Sequence, residues 1–156
     1  MKKTFLTLFA VFLVSSAVFA DDKAEARKFF DSYVNAANSY STTIQDMYSK
    51  DAKIIRQVVK PDGTTVDVYT DTATYVKQMK LSQSVAKMRK YKNTYKDVNV
   101  TPAKNGAYKI SSMRQPTGET YWLKTHMVVK KHPDGHWKII EEMMQTKEQI
   151  FLKYAK

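Results

Sequence analysis

Two acids stand side by side in "VVKKHPDGHWKIIEEMM", residues 128–144. Neighbouring strand residues point to opposite faces of a sheet, so one of Glu141 and Glu142 faces water and the other faces the interior. A carboxyl in an apolar interior has its neutral form favoured by desolvation, which can bring it into the range of a general acid or base at neutral pH. A phenol beside it could donate to a developing oxyanion. Tyrosine is abundant, with 10 in the chain, and Tyr33, Tyr48 and Tyr121 are candidates for inward positions. The same side chains can equally fill a core with one satisfied hydroxyl each.

Which acid turns inward depends on register. "KPDGT" (60–64), "QPTGE" (115–119) and "HPDGH" (132–136) share the form X-Pro-Asp/Thr-Gly-X. Proline presets φ for the turn and glycine accepts the left-handed conformation after it, as in a three-residue hairpin loop with a glycine bulge. Tight closure predicts Val129 opposite Ile139, Met127 opposite Glu141 and Thr125 opposite Met143. In the preceding hairpin it predicts Met113 opposite Tyr121, Ser111 opposite Leu123 and Lys109 opposite Thr125. One face then carries Tyr121, Leu123, Met127, Val129, Trp137, Ile139, Glu141 and Met143, and belongs under the helices. Glu141 is expected inside, either as a general acid or base with Tyr121 as its catalytic partner, or as a non-catalytic residue near the cavity mouth or neutralised by Lys109. Tyr33, Tyr48, Lys109, Tyr121, Met127, Trp137 and Met143 are the expected lining of a ligand pocket.

The opposite face collects Tyr108, Ile110, Trp122, Lys124 and His126. An apolar patch ringed by lysine on an exposed sheet suits a partner surface. His126 falls outside by alternation, and His132 and His136 flank a turn. Three scattered histidines and no cysteine provide no metal spacing. Neither a Gly-x-Ser-x-Gly elbow nor a glycine-rich phosphate loop is present. No cofactor is expected.

The elements that position these residues follow from periodicity. Ala26, Phe29, Phe30, Tyr33 and Ala37 define an amphipathic helix from about Ala24 to Asn38. Ile44, Met47 and Tyr48 mark a second, shorter one. "SKDAKIIRQVVK" and "TTVDVYT" form a strand pair, Asp71 caps a third helix carrying Val76, Met79, Val85 and Met88, and three strands complete the sheet. "KMRKYKNTYK" interleaves cations with Tyr91 and Tyr95, a pattern also found in single-strand nucleic-acid binders.

The first residues, "MKKTFLTLFAVFLVSSAVFA", have a basic start, an apolar run and a small-residue exit, the form of a cleavable secretory signal with cleavage expected after Ala20. Export to the periplasm or beyond makes nucleic acid an improbable partner, and no stable membrane insertion is expected after cleavage. Of 156 residues, 136 remain, enough for one domain (21–156) with a real core. With no cysteine, stability rests on packing. Without Lys2 and Lys3, 24 basic residues oppose 15 acidic ones, a charge of about +9 that suits anionic envelope partners.

The order helix, helix, strand hairpin, helix, antiparallel strands resembles the nuclear transport factor 2-like (cystatin-like) superfamily. "DMYSKDAKI" (46–54) is similar to the family's passage from second helix to first strand, and "DGHWKII" (134–140) to its final-strand entry. The resemblance covers most of the mature chain. It implies an α+β fold in which a strongly bent antiparallel sheet wraps around about three helices, forming a cone with an internal cavity. The family holds isomerases, dehydratases, hydrolases, cyclases, transport factors and many exported proteins without assigned activity, so the fold alone does not decide function. Relatives frequently pair through the outer sheet face, which implies a homodimer or an envelope protein partner. The expectation is a binding domain for an apolar small molecule or a protein. A lyase, isomerase or hydrolase using Glu141 is the enzymatic alternative, and a cell-envelope assembly module the third.

Overall fold

The structure, a computed structural model, describes residues 6–155, with side chains from Ala20 onward. The basic start of the expected leader, Lys2 and Lys3, lies outside the described residues. Helix α1 runs Leu6–Asn38, so the helix expected from Ala24 extends further towards the N-terminus. Its buried stripe is Ala26, Phe30 and Tyr33, at i, i+4 and i+7. The second expected helix is a short 3-10 segment, Thr42–Met47, capped by the Ser41 hydroxyl. Tyr48 opens strand β1 (Tyr48–Val59) instead of closing that helix. After β2 (Thr65–Thr70), α2 spans Thr72–Met88, and the Asp71 carboxylate accepts from the Thr74 N–H at 2.8 Å, the expected N-cap.

Strands β3 (Asn93–Pro102), β4 (Tyr108–Pro116), β5 (Leu123–Lys131) and β6 (Trp137–Thr146) follow, then a 3-10 segment, Gln149–Tyr154. The six strands form one sheet in the order β2-β1-β6-β5-β4-β3. The fold is α+β, with two substantial helices. The sheet is mixed, since β1 and β6 run parallel, and it is not strongly curled: β2 and β3 remain open edges. α1 lies over β3 and β4, and α2 over β1.

Two register differences redistribute the faces. Across the last hairpin, Val129 opposes Ile139 as expected, but Val128 opposes Glu141 and Met127 opposes Glu142. Ile140 is therefore an extra residue on β6, a β-bulge that inverts everything beyond it. The β1–β6 ladder is irregular at the same place, passing from Tyr48 opposite Ile139 to Lys53 opposite Glu141. Glu142 points inward and Glu141 outward, reversing the expectation, and Met143 goes out with Glu141.

The second difference lies between β4 and β5. Gly118 has the left-handed φ of 85° that the Pro-Thr-Gly turn requires. Yet the turn does not close a tight hairpin, because Thr117 is bonded through its N–H and hydroxyl to Lys92, ahead of β3. Arg114, not Ser111, opposes Leu123. A three-residue slip is odd, so β4 turns over. Tyr108 and Ile110 enter the core at 4% and 0% exposure, and Lys109 becomes exposed.

Candidate functional site

Glu142 is the most deeply buried charged side chain in the described protein, with zero exposure. The bulge at Ile140 directs it inward, opposite Ile54 on β1 and Met127 on β5. Four donors converge on it. Oε1 accepts from Arg56 Nη1 and from the Tyr75 hydroxyl, both at 3.1 Å. Oε2 accepts from the Tyr33 hydroxyl at 3.2 Å and from the Tyr48 hydroxyl in a very short contact. Arg56 Nη2 also donates to the Tyr75 oxygen at 2.7 Å, and its guanidinium lies 4.8 Å from the centre of that ring.

Each donor arrives from a different place in the chain. Tyr33 comes from the buried stripe of α1, Tyr48 from the first position of β1, and Tyr75 from the first turn of α2. Arg56 occupies the inward phase of β1 between Ile54 and Val58, which are 1% and 0% exposed. The rings also pack edge to face, Tyr33 on Tyr48 at 6.5 Å and Tyr48 on Tyr75 at 5.5 Å between centroids. The cluster thus joins both helices to the centre of the sheet.

Burial and then the negative charge of Glu142 push the Tyr33 and Tyr48 hydroxyls well above the ordinary tyrosine range. Burial also raises Tyr75, with the Arg56 charge opposing. For Arg56, burial works against the cation, but Tyr75 and Glu142 outweigh it and raise the guanidinium further. All three phenols therefore stay protonated as donors. A carboxylate offers about four lone-pair positions, and here four donors fill them. The protein's own donors thus engage all of Glu142's acceptor positions.

A cleft of about 770 Å³ opens beside this cluster, between α2, β1, β2 and the Gln149–Tyr154 segment. Arg56 and Tyr75 belong to both the cluster and the cleft wall. Ile54, Val68, Met79, Phe151 and Tyr154 supply apolar lining, and Lys53 a second cation. Arg56 retains 17% side-chain exposure and forms part of the cleft wall.

None of the pocket residues nominated from the sequence lines this cleft. Tyr33 and Tyr48 are inside but hold Glu142. Met127 is core, and Trp137 packs on Tyr108 and donates from Nε1 to Glu25 at 3.0 Å. Lys109 is exposed, and Met143 lies on the outer face. Tyr121 and Glu141, the expected catalytic pair, are not brought together. Tyr121 stands before β5 under the Lys147 ammonium, 3.9 Å from its ring centre. Glu141 sits opposite Val128 near the other end of the ladder. There Glu141 Oε1 lies 2.8 Å from His126 Nε2, and Oε2 lies 3.9 Å from Lys53.

Of the expected partner surface, Tyr108 and Ile110 are withdrawn into the core. Lys124 and His126 keep the outer face, and Trp122, in the loop ahead of β5, lies beneath the Lys96 ammonium at 4.2 Å. The residues missed were Glu142, Arg56 and Tyr75. One signal was available: an arginine in phase with Ile54 and Val58 needs a buried acid to accompany it.

No protein-family model matches the chain, and no curated protein matches it in sequence. Solved structures do match. A domain of unknown function with a cystatin-like fold from Nostoc punctiforme superposes with a TM-score of 0.57 at 18% identity, covering 85% of this chain and 84% of that one. A nuclear transport factor 2-like protein of unknown function from Shewanella oneidensis gives 0.58 at 13% identity, with 81% and 98% covered. A protein from Novosphingobium aromaticivorans, provisionally named a scytalone dehydratase, gives 0.55 at 12%, with 76% and 79% covered. The chain has the nuclear transport factor 2-like, cystatin-like fold.

Proposed function

We propose that this chain is an exported binding domain that takes an apolar small molecule carrying an anionic group into the cleft beside α2. The observation that carries this reading is the division of labour around Arg56. Its Nη1 neutralises a fully buried acid whose lone pairs are all occupied, while its partly exposed side chain and Lys53 bring two positive charges to a cleft walled by Ile54, Val68, Met79 and Phe151, with Thr70, Thr74, Gln78 and Ser82 as polar lining and Asp71, already engaged as the α2 cap, its one acid. Clefts of this size that combine apolar walls with convergent polar groups suit small ligands. The structure does not bring Glu141 and Tyr121 together, and Glu142 is engaged by four donors of the protein itself, so neither acid favours an enzymatic reading. Export rests on the leader-like N-terminus.

Binding can be read with 1-anilinonaphthalene-8-sulfonate, an apolar fluorophore with a single negative charge. Its emission should rise on titration into the native protein and fall when Gln78→Trp fills the cleft from α2. Unchanged fluorescence with the folded protein, or equal binding by the Gln78→Trp variant, would refute the cleft as the site.

A further inference from the structure

Helix α2 has two apolar faces. Tyr75, Met79 and Ala86 turn towards the sheet and α1 side of the molecule. On a different side of the helix, Leu81, Val85 and Met88 recur at i, i+4 and i+7 and stand 70%, 42% and 75% exposed. A solvent-facing ridge of this kind gains nothing from the fold. Its surroundings carry one sign of charge. Lys77, Lys80 and Lys87 are exposed on the helix, Arg89, Lys90 and Lys92 follow it, and no acidic residue lies anywhere from Thr72 to Lys96.

From this we infer that α2 docks on an anionic lipid surface, with Leu81, Val85 and Met88 set into the boundary between headgroups and acyl chains and the lysines against the headgroup charge. The chemistry discriminates among occupants. A second copy of the chain meeting this face would bring two sets of cations together without an acid between them. A soluble polyanion would satisfy the lysines and leave the apolar ridge in water. A protruding ridge flanked by cations matches an interface that is apolar beneath an anionic layer. No helix among the described residues is long and apolar enough to cross a membrane, so the contact proposed is a peripheral one.

The chain contains no cysteine, which allows a position-specific test in the full-length protein. Leu81→Cys carrying an environment-sensitive fluorophore should shift to shorter wavelength on adding vesicles of phosphatidylcholine with one-quarter phosphatidylglycerol. The same label at Lys104→Cys, in the turn between β3 and β4, should not. Vesicle partitioning should fall roughly tenfold in the Leu81→Ser/Met88→Ser variant, the scale expected from losing two partly buried apolar side chains. It should also fall in Lys80→Glu/Lys87→Glu, and with pure phosphatidylcholine. No shift at position 81 overturns the inference. Binding to anionic vesicles that is unchanged by Leu81→Ser/Met88→Ser also overturns it, and assigns the lysines to a general polyanion-binding face or the contact to the N-terminal segment.

Discussion

Glu141 and Glu142 share a residue type, a strand and a peptide bond, and live in opposite environments. Glu142 has zero exposure and four donors. Glu141 keeps 31% of its side chain in solvent, with His126 and Lys53 as surface companions. The difference comes from one inserted residue, Ile140, which shifts the phase of β6 between the two halves of its ladder. The inner site is a closed polar network inside an aromatic shell. The outer one is an ordinary surface arrangement. Placement by the bulge, not acidity as such, decides which glutamate organises the protein.

The sharpest way to break the contrast is to remove one member of the inner network. Glu142→Ala leaves the Arg56 charge and three hydroxyls without their acceptor, and should cost about 3–5 kcal/mol, with Arg56→Ala similar in scale. The paired replacement Glu142→Leu/Arg56→Met removes both charges, so its cost should fall short of the sum of the singles by about 2–3 kcal/mol. Denaturant midpoints at constant m-value measure all of these. Additive losses would mean that the two side chains act separately, and that the buried ion pair is not the unit it looks to be.

How much of this was legible follows from the range of the interactions involved. The α1 stripe, the Asp71 cap and the Pro-Asp-Gly turns are local, and the structure has all three; Gly63 and Gly135 adopt φ of 84° and 83°. The inward set of β5, Leu123, Thr125, Met127 and Val129, follows from alternation alone. The bulge carries no comparable mark, because Ile139 and Ile140 are equally good strand residues. The β4 reversal depends on Thr117 reaching Lys92, 25 residues earlier, which no turn rule contains. Helical spacing places Tyr33 and Tyr48 inside, yet their shared partner appears only when the parallel β1–β6 ladder sets Glu142 opposite Ile54, one inward position from Arg56. Arg56 itself was readable in principle, as a charge in the apolar phase of β1.

A gentler probe sharpens the contrast through the phenols. Tyr33, Tyr48 and Tyr75 titrate above the ordinary value in the folded protein, whereas in the unfolded chain they ionise near pH 10. Below about pH 10 both states hold these protons and their contribution is fully present. Above it the unfolded state loses protons that the folded state keeps, so stability falls as pH rises, by about 1.4 kcal/mol per pH unit for each such phenol. Tyr48→Phe should flatten that alkaline slope while costing about 1–3 kcal/mol at neutral pH through the lost charge-assisted hydrogen bond. Unfolding midpoints between pH 8 and 11 give the slope, and parallel curves for the two proteins would show that Tyr48 is not held protonated.

The outer glutamate should produce the smallest effect. Its contacts are a 2.8 Å approach to His126 and a longer one to Lys53, whose side chain is 53% exposed. Water screens such pairs, and holding long side chains in place offsets much of the Coulomb gain, so exposed ion pairs are worth at most about 1 kcal/mol. Glu141→Gln keeps the shape and an acceptor oxygen for His126, and should lower stability by less than about 1 kcal/mol, with the difference shrinking further in 0.5 M salt. Because Glu141 contacts the cleft only through the long approach to Lys53, fluorophore binding should hold or tighten slightly as that lysine loses its counter-charge. A loss from Glu141→Gln as large as that from Glu142→Ala would mean that the strand carries its acids in the opposite phase, with Ile140 paired and not bulged. Equal and small losses would instead show that the network around Glu142 adds little beyond what its aromatic packing already supplies.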